Sequence, residues 1–146
     1  MLLAQCLFLV LTTSASALAV GASASARLPV VYPLPDIASF ESELASAKDA
    51  GSLMVIKYAR PNCRSCLALA PKFEAMAKNQ PHRRLFEVNE RAPPGRKLCA
   101  SNKIESLPTA AVYLDGELML QKVIKVKEWD EFLVEIDNLD ADANGI

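Results

Sequence analysis

Two cysteines separated by two residues, Cys63 and Cys66, are the side chains in this sequence with the clearest capacity for chemistry. They stand between a short apolar run, which predicts a buried strand, and a segment with helical periodicity. In that context a Cys-x-x-Cys spacing indicates a redox centre. Cys63 would lie at the helix N-terminus, where free backbone N–H groups and the helix dipole favour a thiolate. We therefore predict that Cys63 is the nucleophile and that Cys66, one turn further along, resolves a mixed disulfide.

The cysteine pair has two other interpretations, a structural disulfide and half of a zinc site. Zinc requires two further ligands, and behind the apolar leader only Cys99 and His82 remain. Because these two do not form the usual second pair, we expect neither a metal site nor a bound cofactor. Cys99 is predicted to be a small core residue, with regulatory oxidation as the alternative. His82 is predicted to face solvent.

The elements that must position the cysteines follow from hydrophobic periodicity and from turn residues. The pattern predicts helices over 37–50, 63–78, 96–102 and 127–139, and strands over 53–59, 85–88, 110–114 and 117–126. Asp36 or Ser39 could cap the first helix, Asp115-Gly116 predicts a hairpin, and Trp129 is expected in the core. Strands joined through a helix should be parallel, and the hairpin adds an antiparallel pair. The predicted fold class is α/β, with a mixed central sheet flanked by helices on both faces.

The first charged residue of the chain is Arg27, and residues 2–11 are almost wholly apolar. Ala15 and Ala17 follow in a small-residue stretch, which is typical of a cleavable secretory signal over residues 1–17. The alternative is a membrane anchor, but a spanning helix needs about 20 apolar residues. We expect no stable membrane anchor after cleavage. With a formal net charge of -1, the chain also has no electrostatic footprint for nucleic acid.

Behind the signal we predict three regions: a disordered transit or linker segment over 18–35, a folded domain over 36–139 and a frayed tail over 140–146. Residues 30–32 could add a short strand within the linker. The acid-free, Ser- and Ala-rich stretch resembles an organelle transit peptide. Ala15-Ser16-Ala17-Leu18 resembles the cleavage site in two-part presequences of algae with secondary plastids. The expected location is such a plastid, and the alternative is the endoplasmic reticulum or secretion.

Three segments together resemble the thioredoxin family over residues 36–139. They are Cys63-Arg64-Ser65-Cys66 with Pro71 five residues after the second cysteine, Ser106-Leu107-Pro108-Thr109, and Val112-Tyr113-Leu114-Asp115-Gly116. The resemblance implies a thioredoxin fold and a cis peptide bond at Leu107-Pro108. It also implies that this loop faces the cysteines, that the backbone of Leu107 pairs with bound substrate, and that Pro108 belongs to the substrate-binding surface. Phe86-Glu87-Val88-Asn89-Glu90 and Leu98-Cys99 look most like the atypical plastid thioredoxins of plants and algae.

The sequence departs from the family pattern next to both cysteines. Asn62 replaces the usual Trp, and Arg64-Ser65 replaces the usual Gly-Pro. The resemblance implies that Asn62 and Arg64 belong to the substrate-binding surface. A guanidinium near Cys63 stabilises a thiolate, and we expect a more oxidising centre than in ordinary thioredoxin.

A second departure concerns two charged residues on neighbouring predicted strands. The family keeps a buried carboxylate where this sequence has Lys57, and a lysine where it has Glu87. The charges are therefore exchanged, and we expect a buried ion pair whose disruption costs about 3–5 kcal/mol. In that arrangement Glu87 would relay a proton to Cys66. The alternative is that Lys57 reaches outward along its strand and Glu87 simply faces water.

The predicted function is reduction or exchange of protein disulfides by a monomeric enzyme. An unidentified donor would supply its electrons. A non-catalytic, thioredoxin-like binding module is one alternative, although such a module needs neither Cys63 nor Cys66. An oxidase or isomerase of the endoplasmic reticulum is another, although residues 144–146 do not complete a retention tetrapeptide.

Overall fold

The structure is a computed structural model that describes residues 30–145. Its strands are β1 Tyr32–Pro33, β2 Met54–Ala59, β3 Arg84–Asn89, β4 Thr109–Leu114 and β5 Glu117–Val123. Its α-helices are α1 Ile37–Asp49, α2 Arg64–Asn79, α3 Pro93–Ser101 and α4 Trp129–Ala143. A short 3₁₀ turn, Val126–Glu128, leads into α4.

The five strands form one sheet in the order β1-β3-β2-β4-β5. β1, β3 and β2 are parallel, whereas β4 and β5 are antiparallel to their neighbours, which confirms the predicted mixed sheet. Helices α2 and α4 pack on one face, and α1 and α3 pack on the other. The side chains of adjacent β2 residues lie on opposite faces of the sheet: Val55 packs in the core with α2 and α4, and Ile56 packs in the core with α1 and α3. Both faces of β2 are therefore covered, as its nearly continuous apolar sequence predicts.

Local chemistry sets the ends of two elements as the sequence predicts. The Asp36 carboxylate accepts a hydrogen bond from the Ser39 backbone N–H at 2.8 Å and caps α1. Asp115 and Gly116 both have positive φ angles, 52° and 84°, which a two-residue hairpin turn requires. Trp129 is buried in the core.

The structure confirms the short strand of the linker and corrects two predicted element boundaries. The short strand expected at 30–32 within the linker forms at Tyr32–Pro33 and pairs with β3, whose exposed edge offers backbone partners, and Leu34 of the same linker is buried. α3 begins within the predicted loop because Pro93 suits the first turn of a helix. β5 ends at Val123 rather than 126.

The tail predicted to fray from residue 140 is instead helical up to Ala143. The reason is a long-range ion pair. Asp140 accepts a hydrogen bond at 2.5 Å from Arg83, whose side chain is buried just before β3.

The predicted signal over 1–17 and most of the predicted transit segment lie outside the described residues, and both stay predictions. Within 30–145, no helix combines the length and the apolar character needed to cross a membrane.

Candidate active site

The cysteine pair lies where β2 turns into α2. Cys63 is the N-cap of α2 with extended backbone angles, and its Sγ accepts a hydrogen bond from the Cys66 backbone N–H at 3.3 Å. The two sulfurs are joined in a disulfide, with Cα atoms 5.2 Å apart. Asn62, just before the pair, has a φ of 63°, which turns the chain sharply into the helix. The predicted position of Cys63 at the helix N-terminus is confirmed.

The two sulfurs differ in their access to solvent. Cys63 is half-buried, whereas Cys66 is only 3% exposed. The Ser65 hydroxyl lies 3.4 Å from the Cys63 sulfur and can hydrogen-bond to it. Cys63 is therefore the more accessible of the two cysteines, and Cys66 is enclosed by the protein. Arg64 is exposed at the first helical position.

Lys57 and Glu87 are direct neighbours in the parallel pairing of β2 with β3, and their side chains form an ion pair. The Lys57 side chain is 5% exposed and its ammonium lies 5.4 Å from the ring centroid of Phe73. The Glu87 side chain is 43% exposed. The predicted ion pair exists, but only Lys57 is buried: the alternative in which Lys57 reaches outward to solvent is wrong, whereas Glu87 does contact water.

A cavity of about 170 Å³ connects this ion pair to Cys66. Cys66, Lys57 and Glu87 all line it, together with the end of β2 and the first turns of α2. A buried cation beside a thiol favours its thiolate form. The cavity thus places a positive charge and a partly hydrated carboxylate next to Cys66.

The Leu107–Pro108 peptide bond is cis, as the family resemblance implies. Pro108 is buried and Leu107 half-buried. The Thr109 hydroxyl donates to the Ser106 carbonyl at 2.6 Å, and the Ile124 N–H donates to the Pro108 carbonyl at 3.0 Å. Thr109 is the register partner of Tyr58 near the end of β2, so the loop lies at the same end of the sheet as the cysteines. The predicted substrate contacts of Asn62, Arg64, Leu107 and Pro108 stay predictions.

Cys99 lies in the core that α1 and α3 form on the other face of the sheet, as predicted. Burial raises the pKa of its thiol to about 11, and the nearby Glu90 carboxylate adds to the increase. His82 is exposed, also as predicted, and lies 3.2 Å from Asp140. Within the described part of the chain, no three His, Cys, Asp or Glu side chains are grouped closely enough to hold a metal ion.

Sequence reasoning missed three arginines beside the cysteines. Arg60, Arg91 and Arg96 line one cavity with Asn62, although 36 positions separate Arg60 from Arg96. The only sequence signal was the local density of arginine around the prolines at 61, 93 and 94. That signal cannot show that the two segments meet in the fold.

A disulfide between a helix N-cap and the next turn, beside a cis-proline loop on a mixed sheet, fits the class of thiol–disulfide oxidoreductases. The family model described as "Thioredoxin" matches residues 34–138. A thioredoxin H-type of Fagopyrum esculentum is 24% identical over 100 residues, covering 68% of this chain and 83% of the relative.

Solved structures agree on the fold. The thioredoxin of Trypanosoma brucei brucei has a TM-score of 0.68 at 16% identity, covering 79% of this chain and 95% of that one. A chain from a complex of ferredoxin:thioredoxin reductase with thioredoxin f2 has a TM-score of 0.65 at 14% identity, covering 77% and 97%. The protein belongs to the thioredoxin family and has the thioredoxin fold. The finer resemblance to atypical plastid thioredoxins stays a prediction.

Proposed function

We propose that this protein reduces or exchanges disulfides in other proteins through the Cys63/Cys66 dithiol. The observation that carries the proposal is the unequal placement of the two sulfurs. Cys63 is accessible and its sulfur receives a backbone N–H at 3.3 Å, whereas Cys66 is enclosed one turn deeper. One thiol is thus poised to react with a partner and the other to complete the reaction.

The proposed reaction has two exchange steps. The Cys63 thiolate attacks one sulfur of the substrate disulfide, which forms a mixed disulfide and releases the other substrate sulfur as a thiolate. The Cys66 thiolate then attacks the Cys63 sulfur, forms the intramolecular disulfide and releases the second substrate thiolate. Two electrons pass to the substrate, whose thiolates take up two protons. A separate donor must return two electrons to the Cys63–Cys66 disulfide.

Lys57 and Glu87 support the second step in this proposal. The Lys57 ammonium favours the Cys66 thiolate electrostatically because both groups line the same cavity. The Glu87 carboxylate lines that cavity and also reaches solvent, so it can accept the Cys66 proton and pass it to water.

We further propose that a protein reductase supplies the electrons and that the protein works in a plastid. The thioredoxin f2 to which this fold is similar forms a complex with a ferredoxin:thioredoxin reductase. The compartment rests on the Ala- and Ser-rich leader of the sequence.

Cysteine variants test the reduction of protein disulfides. Cys63→Ser should abolish insulin reduction, whereas Cys66→Ser should accumulate a mixed disulfide with the substrate, detected by mass spectrometry. If the protein without substitutions reduced no insulin, the result would favour a non-catalytic binding module. If Cys66 were the rapidly alkylated thiol of the reduced protein, the assigned roles would be reversed.

A disulfide oxidase or isomerase is the second candidate, and the charges near both sulfurs favour it. Arg64 beside Cys63 and Lys57 beside Cys66 each stabilise a thiolate, hence the reduced state. The reduction potential distinguishes the two activities. A value near about -270 mV supports a reductant, and one between about -180 and -120 mV supports an isomerase or oxidase.

A further inference from the structure

A second cavity, of about 410 Å³, opens beside the reactive cysteines. It is formed by the turn between β2 and α2 and by the loop between β3 and α3, and it is lined by Arg60, Pro61, Asn62, Glu90, Arg91 and Arg96. We call it the arginine cavity. Arg64, also exposed, follows Cys63 at the start of α2.

The positive charges of this region are poorly balanced. Arg60, Arg64 and Arg91 form no ion pair with any residue between 30 and 145. Arg96 lies 3.7 Å from Glu90, a loose contact for an exposed side chain. The guanidinium groups of Arg60 and Arg91 in the cavity, and that of Arg64 at the start of α2, are therefore available to bind an anion.

The backbone that carries these side chains is held firmly in place. The Glu90 N–H donates to the Ala59 carbonyl at 2.8 Å and ties the two loops together. The Arg91 N–H donates to the Asn89 side chain at 3.0 Å. Gly95 lets α3 approach β3 closely, since a Cβ there would collide with the Asn89 carbonyl. The cavity thus exists before any partner arrives.

Helix stability alone would favour the opposite charge here. The N-termini of α2 and α3 both lie at this end of the sheet, and neither first turn contains an acidic residue. Asp or Glu in a first turn is stabilising, whereas a cation opposes the helix dipole. Meanwhile α4 carries Asp137 and Asp140 at the far end of the sheet, next to the start of β3. A chain of net charge -1 thus presents a cationic surface beside its reactive sulfur.

We propose that the arginine cavity binds an acidic segment next to the target disulfide in a protein partner. The inference rests on the proposed function and names the class of its substrate. Guanidinium groups form paired hydrogen bonds with carboxylates, and a charged cleft raises the rate at which an oppositely charged partner associates. An acidic segment held there lies next to Asn62 and therefore beside Cys63.

Matched peptides test this inference with the full chain, which excess dithiothreitol returns to the dithiol form after each turnover; the uncatalysed reduction by dithiothreitol is subtracted. Disulfide-bonded peptides of equal length carry Glu and Asp, Gln and Asn, or Lys beside the disulfide. The value of kcat/KM should be about tenfold higher for the acidic peptide than for the neutral one at low salt, and lowest for the basic one. The acidic-to-neutral ratio should approach one at high salt, because exposed charges are then screened.

Charge variants assign the preference to the arginine cavity. Arg60→Gln/Arg91→Gln should bring the acidic-to-neutral ratio close to one, and Arg60→Glu/Arg91→Glu should bring it below one. The control, Lys48→Glu/Lys78→Glu, makes the same change in net charge as Arg60→Glu/Arg91→Glu, but at the far ends of α1 and α2, and should keep the full ratio. The acidic and neutral peptides are compared with the same variant. A change in the intrinsic reactivity of Cys63 therefore affects both kcat/KM values equally and cancels in their ratio.

Four results would contradict the inference. Equal kcat/KM for all peptides would overturn it and leave the proposed function standing. An equal loss of preference in the lysine control would show that net charge acts rather than the cavity. If glutathione disulfide were reduced faster than the acidic peptide, the cavity would instead be a binding site for a small molecule. If no peptide were reduced, the proposed function itself would fail, and the inference with it.

Discussion

Replacing Glu87 by Gln removes the carboxylate that balances the buried ammonium of Lys57. The two partners differ in exposure, 5% for the Lys57 side chain and 43% for Glu87. The cost of breaking the pair must therefore depend on which partner is removed. Glu87→Gln leaves a buried cation, whereas Lys57→Met leaves a carboxylate that water can reach.

The magnitudes follow from that asymmetry. Removing one partner of a fully buried pair costs about 3–5 kcal/mol. For Glu87→Gln we expect about 2 kcal/mol, because the amide oxygen can still accept a hydrogen bond and Phe73 retains a cation–π contact of about 1 kcal/mol. For Lys57→Met we expect less than about 1 kcal/mol, the usual value for an exposed pair. In the double variant no charge remains, so it should be more stable than Glu87→Gln, with a coupling energy of about 1.5 kcal/mol.

Urea unfolding of the oxidised protein, followed by fluorescence of Trp129, measures all three variants. The exchanged variant Lys57→Glu/Glu87→Lys is the matched control: it keeps an ion pair but reverses the charge beside Cys66. It should unfold near the wild-type midpoint, because the buried charge keeps a partner of opposite sign. The reasoning would be refuted if the two single variants lost equal free energies of unfolding. It would also be refuted if the effects of the two substitutions were additive and each below about 0.5 kcal/mol.

Three further predictions concern other parts of the chain. Deleting residues 140–146 removes Asp140 from buried Arg83 and should cost about 2–3 kcal/mol in urea unfolding, whereas deleting 144–146 should cost almost nothing; equal losses would contradict this. At pH 8 the oxidised protein should resist iodoacetamide at Cys99, because a pKa of about 11 leaves about one thiol in a thousand ionised, and labelling should accelerate as the pH rises; rapid labelling at pH 8 would contradict this. A fluorescent fusion of residues 1–35 should enter plastids, and reticular or secreted fluorescence would instead favour the alternative compartments.

Interactions between residues that are close in the sequence could be predicted from the sequence alone. Cys63 was predicted at a helix N-terminus because a buried strand and a helical period adjoin it. Asp36 as a cap and Asp115-Gly116 as a turn are equally local. The position of Lys57 next to Glu87 on neighbouring strands was also predictable, since the family resemblance implies the order of those strands. Each inference needed only the backbone preferences of a short segment or the pairing of two neighbouring strands.

Burial and long-range charge contacts were decided by the tertiary structure. Lys57 is enclosed because α2 places Phe73 over its side chain, while Glu87 on β3 keeps access to water. Asp140 orders the end of α4 only because Arg83, 57 positions earlier, is buried beside it. The arginine cavity likewise requires the loops after β2 and β3 to meet. The solvation of a charge depends on every element packed around it, and no sequence window contains those elements together.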